Sequence, residues 1–328
     1  GGCQLQHLTP EIQRAAKGAA VGDALRRSGR REVADPGVEP SPQSWHYRSK
    51  ITLAARNRRI GLHAYDRPEQ VFDLEDCRIT REALMGLWTS VRRLRQHLSP
   101  TIESLVLKED RTGGLHLVAV GGDEPWDPAP LARAVGNDAV SYWWQPAGGA
   151  ARVLLGPAAG YPALAFEQVN PELASRIRNE AVDTLGDVAG RVVWDLYCGV
   201  GDTAELLAAR GARVHGVDVD RTAIDYARAR SQAVLIAARC EEALHRLPVP
   251  DAVILNPPRT GVHARVAQRL EKWAAGRAGA RVAYVSCDPA TLARDLAWMP
   301  SLTLREARAY DLFPHTSHVE VLARLEAA

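Results

Sequence analysis

Beyond residue 190 the hydrophobic pattern is regular. Short apolar runs at 192–197, 213–217, 251–255 and 282–286 end in Gly, Asp, Asn or Cys, as buried strands do. Amphipathic stretches lie between them: a helix ending near Ala209, one containing Tyr226, and one opened by Pro289, where a helix tolerates proline and Asp288 can cap it. A helix at 171–185 precedes this series, and apolar runs at 302–307 and 319–325 close it. Strands alternating with helices predict an α/β fold: a parallel, doubly wound sheet with an antiparallel addition at its C-terminal end.

The first half reads differently. Residues 9–28 predict a helix with Thr9 as N-cap, Pro10 at its first position and an apolar stripe of Ile12, Ala16, Ala19 and Leu25. Pro36, Gly37, Pro40 and Pro42 mark a linker or extended arm. Residues 45–63 alternate around a turn, predicting a hairpin. This hairpin carries Arg48, Lys50, Arg56, Arg58 and Arg59, has no acidic residue, and interleaves Trp45, Tyr47 and His63. Such a mixture suits phosphate contacts and base stacking, although a solvated basic face has the same composition. An amphipathic helix at 84–98 and strand pairs at 104–108/115–120 and 142–145/152–155 complete a smaller α+β domain. The expected boundaries are 1–41 for an N-terminal segment, 42–165 for the central domain and 166–328 for the α/β domain.

Composition changes this picture little. The 328 residues are 46% hydrophobic and 24% charged, with a net charge of +2, as in ordinary soluble domains. No apolar run approaches the roughly 18 residues of a membrane span, and no secretory signal is evident. Five scattered cysteines do not form a disulfide framework, which favours a reduced, cytoplasmic setting. The chain begins Gly1-Gly2-Cys3 without methionine, so its natural start is expected upstream.

Candidate chemistry gathers at the carboxyl ends of the predicted strands. After 192–197 comes Cys198-Gly199-Val200-Gly201-Asp202, and Asp218 follows Gly199 by about 20 residues, where ribose hydroxyls are held in nucleotide sites. Gly199, Gly201 and Ala204 also fit the dinucleotide fingerprint, so an NAD oxidoreductase stays open. Asp195, inside the strand before the glycines, resembles the acidic residue of the S-adenosylmethionine (SAM) site of class I methyltransferases, which tilts the loop towards SAM. Asn256-Pro257-Pro258-Arg259 ends the next run, with arginine where an amino-group methyltransferase would carry an aromatic. Cys287 lies between a strand and a helix N-terminus, a place that favours thiolate but also suits a buried structural cysteine. Glu320 opens an otherwise apolar strand, either exposed on the alternate face or kept for proton work. His315 and His318 have no cysteine beside them and do not suggest zinc.

Taken together, Phe166-Glu-Gln168-Val-Asn170, Asp195 to Gly201, Asn256 to Arg259, Ser286-Cys287-Asp-Pro-Ala-Thr291 and Phe313 to Glu320 resemble the RNA uracil-5-methyltransferase family, over most of the chain. The resemblance implies a Rossmann-like class I methyltransferase sheet and a smaller α+β domain. It also implies SAM as cofactor and RNA as substrate, in a monomer with no membrane association. Cys287 would be the nucleophile and Glu320 the general base, with Gln168, Tyr197, Gly199, Gly201, Asp202, Asp218 and Asn256 around SAM. The opening Gly1-Gly2-Cys3 resembles the end of a Cys-x5-Cys-Gly-Gly-Cys segment in members that modify bacterial 23S ribosomal RNA. There a [4Fe–4S] cluster takes those three cysteines and a later one, matched here by Cys3 and Cys77. The two upstream cysteines and the N-terminal OB-like module are absent from this sequence. The family usually has Asp at 256 and Asn at 288. A tRNA uracil-5-methyltransferase, an amino-group methyltransferase acting on nucleic acid and a non-catalytic RNA-binding relative are the alternatives.

Overall fold

A computed structural model describes residues 2–56, 59–64, 67–158 and 160–328. They form two compact units. The smaller contains residues 2–3, Gln43–Leu164 and Gln168–Pro171; the larger contains Gln4–Pro42, Ala165–Glu167 and Glu172–Ala328. Residues 4–42, expected as a separate N-terminal segment, therefore pack within the larger unit. Their helix α1 (Pro10–Arg27) buries Val21 and Leu25 in that unit's core, and β1 (Val38–Glu39) joins the edge of its sheet. A Pro-rich stretch can serve as an edge strand, where a missing N–H costs no ladder bond.

In the smaller unit, β2 (Lys50–Arg56), β3 (Arg59–His63), β4 (Val71–Asp73), β5 (Ser104–Glu109), β6 (Leu115–Val120), β7 (Val140–Gln145) and β8 (Arg152–Leu155) form one sheet, ordered β4-β3-β2-β5-β6-β7-β8. Helices α2 (Glu82–Arg93) and α3 (Ala129–Val135) cover one face. Leu84, Trp88 and Val91 of α2 pack on Leu53, Leu105 and Leu117. The expected helix 84–98 ends earlier, with a 3-10 turn over Arg95–His97. Tyr47, a candidate for base stacking, is buried.

The larger unit runs α4 (Pro171–Thr184), β9 (Val192–Leu196), α5 (Asp202–Ala209), β10 (Arg213–Asp218), α6 (Arg221–Arg228), β11 (Val234–Ala237), α7 (Cys240–Ala243), β12 (Ala252–Leu255), α8 (Ala264–Ala274), β13 (Arg281–Ser286), α9 (Pro289–Ala297), β14 (Leu302–Tyr310) and β15 (Glu320–Ala327). Its eight-stranded sheet is ordered β1-β14-β15-β13-β12-β9-β10-β11. The run from β13 to β11 is parallel, and β15 is antiparallel to both neighbours. Cores lie on both faces: α1, α8 and α9 contribute Leu25, Leu270 and Leu296 to one, while α4, α5 and α6 contribute Ile177, Leu207 and Ile224 to the other. Each such side chain contributes about 1.5–3 kcal/mol on burial. This two-sided covering explains why the strands read as continuous apolar runs, and it is the doubly wound α/β architecture that the pattern predicts.

Helix α1 departs from its expected face. The buried stripe is Gln13, Lys17, Val21 and Leu25, while Ile12 is exposed.

Candidate active site

The first strand of the series, β9, lies between β10 and β12. The chain runs outward to β11, then returns across β9 to β12 and β13. That reversal opens a crevice at the carboxyl ends of the strands, where ligands bind in open α/β sheets.

The glycine loop is shaped at this point. Tyr197 adopts a left-handed backbone (φ 63°), and its N–H donates to the Val217 carbonyl at 2.8 Å. Gly199 and Gly201 have φ of 52° and 80°, a region L-residues seldom adopt. The two glycines serve different ends. A Cβ on Gly201 would stand 2.6 Å from the Ala227 Cβ, so its role is packing against α6. A Cβ on Gly199 would meet nothing nearer than the Phe166 carbonyl at 3.9 Å, which leaves room for a ligand against the backbone.

Asp218 fixes the loop: Oδ2 accepts the Gly199 N–H at 2.8 Å and Oδ1 the Asp220 N–H at 2.9 Å. Asp202, in the first turn of α5, is 3.7 Å from both Arg178 and Arg230. The Asn256 N–H donates to Leu196 at 3.2 Å, tying the end of β12 to the end of β9. The Tyr197 hydroxyl accepts the His263 N–H at 3.3 Å. Asp195 is buried with Oδ2 lacking a hydrogen-bond partner, and its carboxyl is pushed up to about 7 by burial, then by Asp218 and Asp202. Exposed apolar Val219 and Phe166 belong to the same unit. An orphaned acidic oxygen, open space beside Gly199 and three clustered carboxylates fit a cationic nucleoside such as SAM. Gln168 lies in the segment 168–171 of the smaller unit.

Cys287 follows β13. The register pairs Ser286 with Val321, so one step further Cys287 faces Glu320, the first residue of β15. Glu320 is 1% exposed, and its Oε2 has no hydrogen-bond partner. The exposed alternative is thereby excluded. Burial pushes its carboxyl up to about 8, and Arg259 opposes the shift. The Cys287 thiol is also raised, chiefly by burial and then by Glu320, with Arg259 again opposing. The lowered thiol expected from the helix N-terminus is corrected: desolvation and a facing carboxylate outweigh it.

The loop carrying Arg259 is held by the helix after the cysteine. Thr291 Oγ1 donates to the Arg259 carbonyl at 3.0 Å and Arg294 Nη2 to the Thr260 carbonyl at 2.7 Å. Asp295, fully buried, accepts the Val262 N–H at 2.8 Å and the Tyr284 hydroxyl at 2.5 Å. Asp288 caps α9 by accepting the Thr291 N–H at 2.8 Å. Asp and Asn cap about equally well, so Asp288 keeps that function where the family usually has Asn. Arg259 also reaches His318 at 3.5 Å. The sequence alone marks Arg259 only as a lost aromatic and does not reveal its place beside both Cys287 and Glu320.

In the smaller unit, Cys3 and Cys77 are free thiols, each partly buried, and Cys77 helps raise the Cys3 thiol. Among the described residues no group of three or more His, Cys, Asp or Glu could hold a metal ion. These two thiols are half a four-cysteine set and do not by themselves fit a [4Fe–4S] cluster. Arg56 and Arg59 are exposed partners in the β2–β3 hairpin, whereas Arg48 and Lys50 are half-buried and Arg48 Nε donates to the Lys50 carbonyl at 2.8 Å. Arg58 lies outside the described residues.

Residues 244–327 match a family model described as tRNA (Uracil-5-)-methyltransferase, and residues 193–256 match a methyltransferase domain. A 23S rRNA (uracil(1939)-C(5))-methyltransferase, RlmD, of Azoarcus sp. is 30% identical over 99% of this chain and 83% of its own length. An uncharacterized RNA methyltransferase of Nitratidesulfovibrio vulgaris is 31% identical, covering 99% and 80%. The crystal structure of Pyrococcus abyssi tRNA (uracil-54, C5)-methyltransferase with S-adenosyl-L-homocysteine superposes with a TM-score of 0.74 at 25% identity, covering 99% of this chain and 85% of that one.

Proposed function

The chain belongs to the RNA uracil-C5-methyltransferase family, and from that premise we propose that it methylates carbon 5 of a uridine in 23S ribosomal RNA through a covalent adduct on Cys287. The observation that carries this reading is the facing of Cys287 and Glu320, with Cys287 at the same carboxyl edge of the sheet as the glycine loop. The ribosomal target rests on the RlmD relatives, which align over nearly the whole chain. Transfer RNA is the second reading, favoured by the structural likeness to the Pyrococcus abyssi enzyme.

Carbon 5 of uracil is a weak nucleophile. The Cys287 thiolate adds to carbon 6; the ring double-bond electrons move onto the carbon 4 carbonyl, leaving an enolate at carbon 5. SAM, when bound, supplies an electrophilic methyl for that carbon. Glu320 then takes the carbon 5 proton, the double bond re-forms, and the carbon–sulfur bond breaks to release thiolate. Dividing one hard step into easier ones is covalent catalysis. A base pushed up to about 8 is matched to proton removal near neutral pH. Arg259 favours the anionic forms of both groups. Gly199, Asp202, Asp218 and Asn256 form the cofactor crevice, Tyr197 completes the set, and the target base is flipped out of its stack to enter. The exposed hairpin cations Arg56 and Arg59 are available to RNA phosphates.

The test is to incubate the protein with SAM and separately with 23S rRNA and tRNA lacking the modification, then map 5-methyluridine by mass spectrometry. Methyluridine in the ribosomal RNA is expected. Product only in tRNA transfers the assignment to the second reading, and methyl groups on adenine or guanine amines contradict both.

A further inference from the structure

We propose that Gln13 and Lys17 of α1 are positioning residues for Glu320, acting through the loop that joins β14 to β15. The inference rests on the methyl-transfer function and goes beyond it to a helix far away in sequence.

Gln13 and Lys17 are one helical turn apart and continue the buried stripe of Val21 and Leu25. Polar groups on such a face cost stability unless they are satisfied, and here both side chains find partners in the 311–319 loop. Lys17 Nζ lies 2.5 Å from Asp311 Oδ1, with the two side chains 1% and 5% exposed, and it donates to the Phe313 carbonyl at 3.1 Å. Gln13 Oε1 accepts the His315 N–H at 2.9 Å, while its Nε2 is 3.3 Å from His315 Nδ1. The same amide nitrogen donates to the carbonyls of Leu5 and Leu8, each at 3.0 Å, and the Leu5 N–H donates to the His315 carbonyl at 2.9 Å. The loop from 311 to 319 is thus grasped at alternate residues: 311, 313 and 315. His315 is held with φ of 67°, a conformation that needs such external support.

Beyond this clamp lies the catalytic end of the loop. His318 meets Arg259, and Glu320 enters β15 buried and opposite Cys287. Strand pairing fixes the Glu320 backbone itself, with Tyr310 opposite on β14 and the Ser286–Val321 pair adjacent on the β13 side. The α1 clamp fixes the chain leading into it. A core helix needing only to bury apolar area would carry leucines at 13 and 17, because a buried ion pair seldom adds net stability over apolar residues of similar size.

The test separates adduct formation from adduct release. RNA bearing 5-fluorouridine forms the Cys287 adduct but has no carbon 5 proton to remove, so trapping on it is independent of Glu320. Native protein, Gln13→Leu, and the pair Lys17→Met with Asp311→Leu, which strands no charge, are compared at equal folded concentration. Trapping on 5-fluorouridine RNA is expected to proceed at the native rate in the variants. On ordinary RNA, adduct lifetime in a rapid-quench denaturing gel is expected to lengthen about tenfold or more, since misplacing a catalytic group by an ångström can cost about a hundredfold. A parallel fall in both rates, or native release in both variants, overturns the proposal. Absence of any adduct with the native protein overturns the methyl-transfer reading as well, so the two failures are told apart. If one variant does not fold, the other carries the comparison.

Discussion

Cys287 faces Glu320 one register step beyond the paired residues Ser286 and Val321, so the proposed nucleophile and base stand at adjacent ends of antiparallel strands. Antiparallel neighbours are held a few ångströms apart by the backbone ladder. The same sheet that buries the core therefore spaces these two side chains, and a one-residue slip of β15 would turn Glu320 to the other face, away from Cys287.

Burying Glu320 has a thermodynamic consequence. Its carboxyl is pushed up to about 8 from an ordinary 4.5, chiefly by desolvation. Between those values the folded chain holds a proton that the unfolded chain releases, so this group lowers stability progressively as pH rises through the window. Glu320→Gln removes the effect. The variant is expected to match the native protein below pH 4.5 and to exceed it above pH 8 by a few kcal/mol, read from urea unfolding across pH.

Arg259 works on both partners in the same direction, holding down the thiol and the carboxyl against burial. Arg259→Met should shift the pH profiles of adduct formation and of adduct release alkaline by about one unit each. Pre-steady-state quench experiments between pH 6 and 10 would reveal this. Unmoved profiles would show that the guanidinium serves RNA contact alone.

The two glycines of the loop should separate on mutation. Gly201→Ala meets the Ala227 Cβ at 2.6 Å and is expected to lower stability. Gly199→Ala meets open space, so its stability cost is the backbone strain of about 1–2 kcal/mol. Its main effect should be a SAM affinity at least about tenfold weaker, because backbone approach to the ligand is blocked. Asp218→Ala, which frees the Gly199 N–H, is expected to weaken SAM binding similarly. Titration calorimetry against unfolding midpoints distinguishes the two glycines.

The sheet was legible because buried parallel strands are continuous apolar runs bounded by turn residues, as at 192–196 and 281–286. Cys287 and the glycine loop were legible because strand ends are where such sheets place chemistry. Other features depended on contacts distant in sequence. Nothing local marks Gln13 and Lys17 as buried, since their partners are some 300 residues away. Val38–Glu39 forms a strand only because β14 offers an edge. The raised thiol of Cys287 could not be read from its helix, because the dominant causes are burial and Glu320.

The central claim is that Cys287 forms the bond to the base and Glu320 completes release. The direct measurement is to incubate Glu320→Gln with SAM and unmodified 23S rRNA, resolve the products on a denaturing gel, and sequence the cross-linked peptide and nucleotide by mass spectrometry. The account predicts a covalent RNA–protein species that requires SAM to carry 5-methylated uracil, joined through Cys287, and absent from Cys287→Ala. Rapid release of free 5-methyluridine RNA by Glu320→Gln, or methyl transfer by Cys287→Ala, would contradict it.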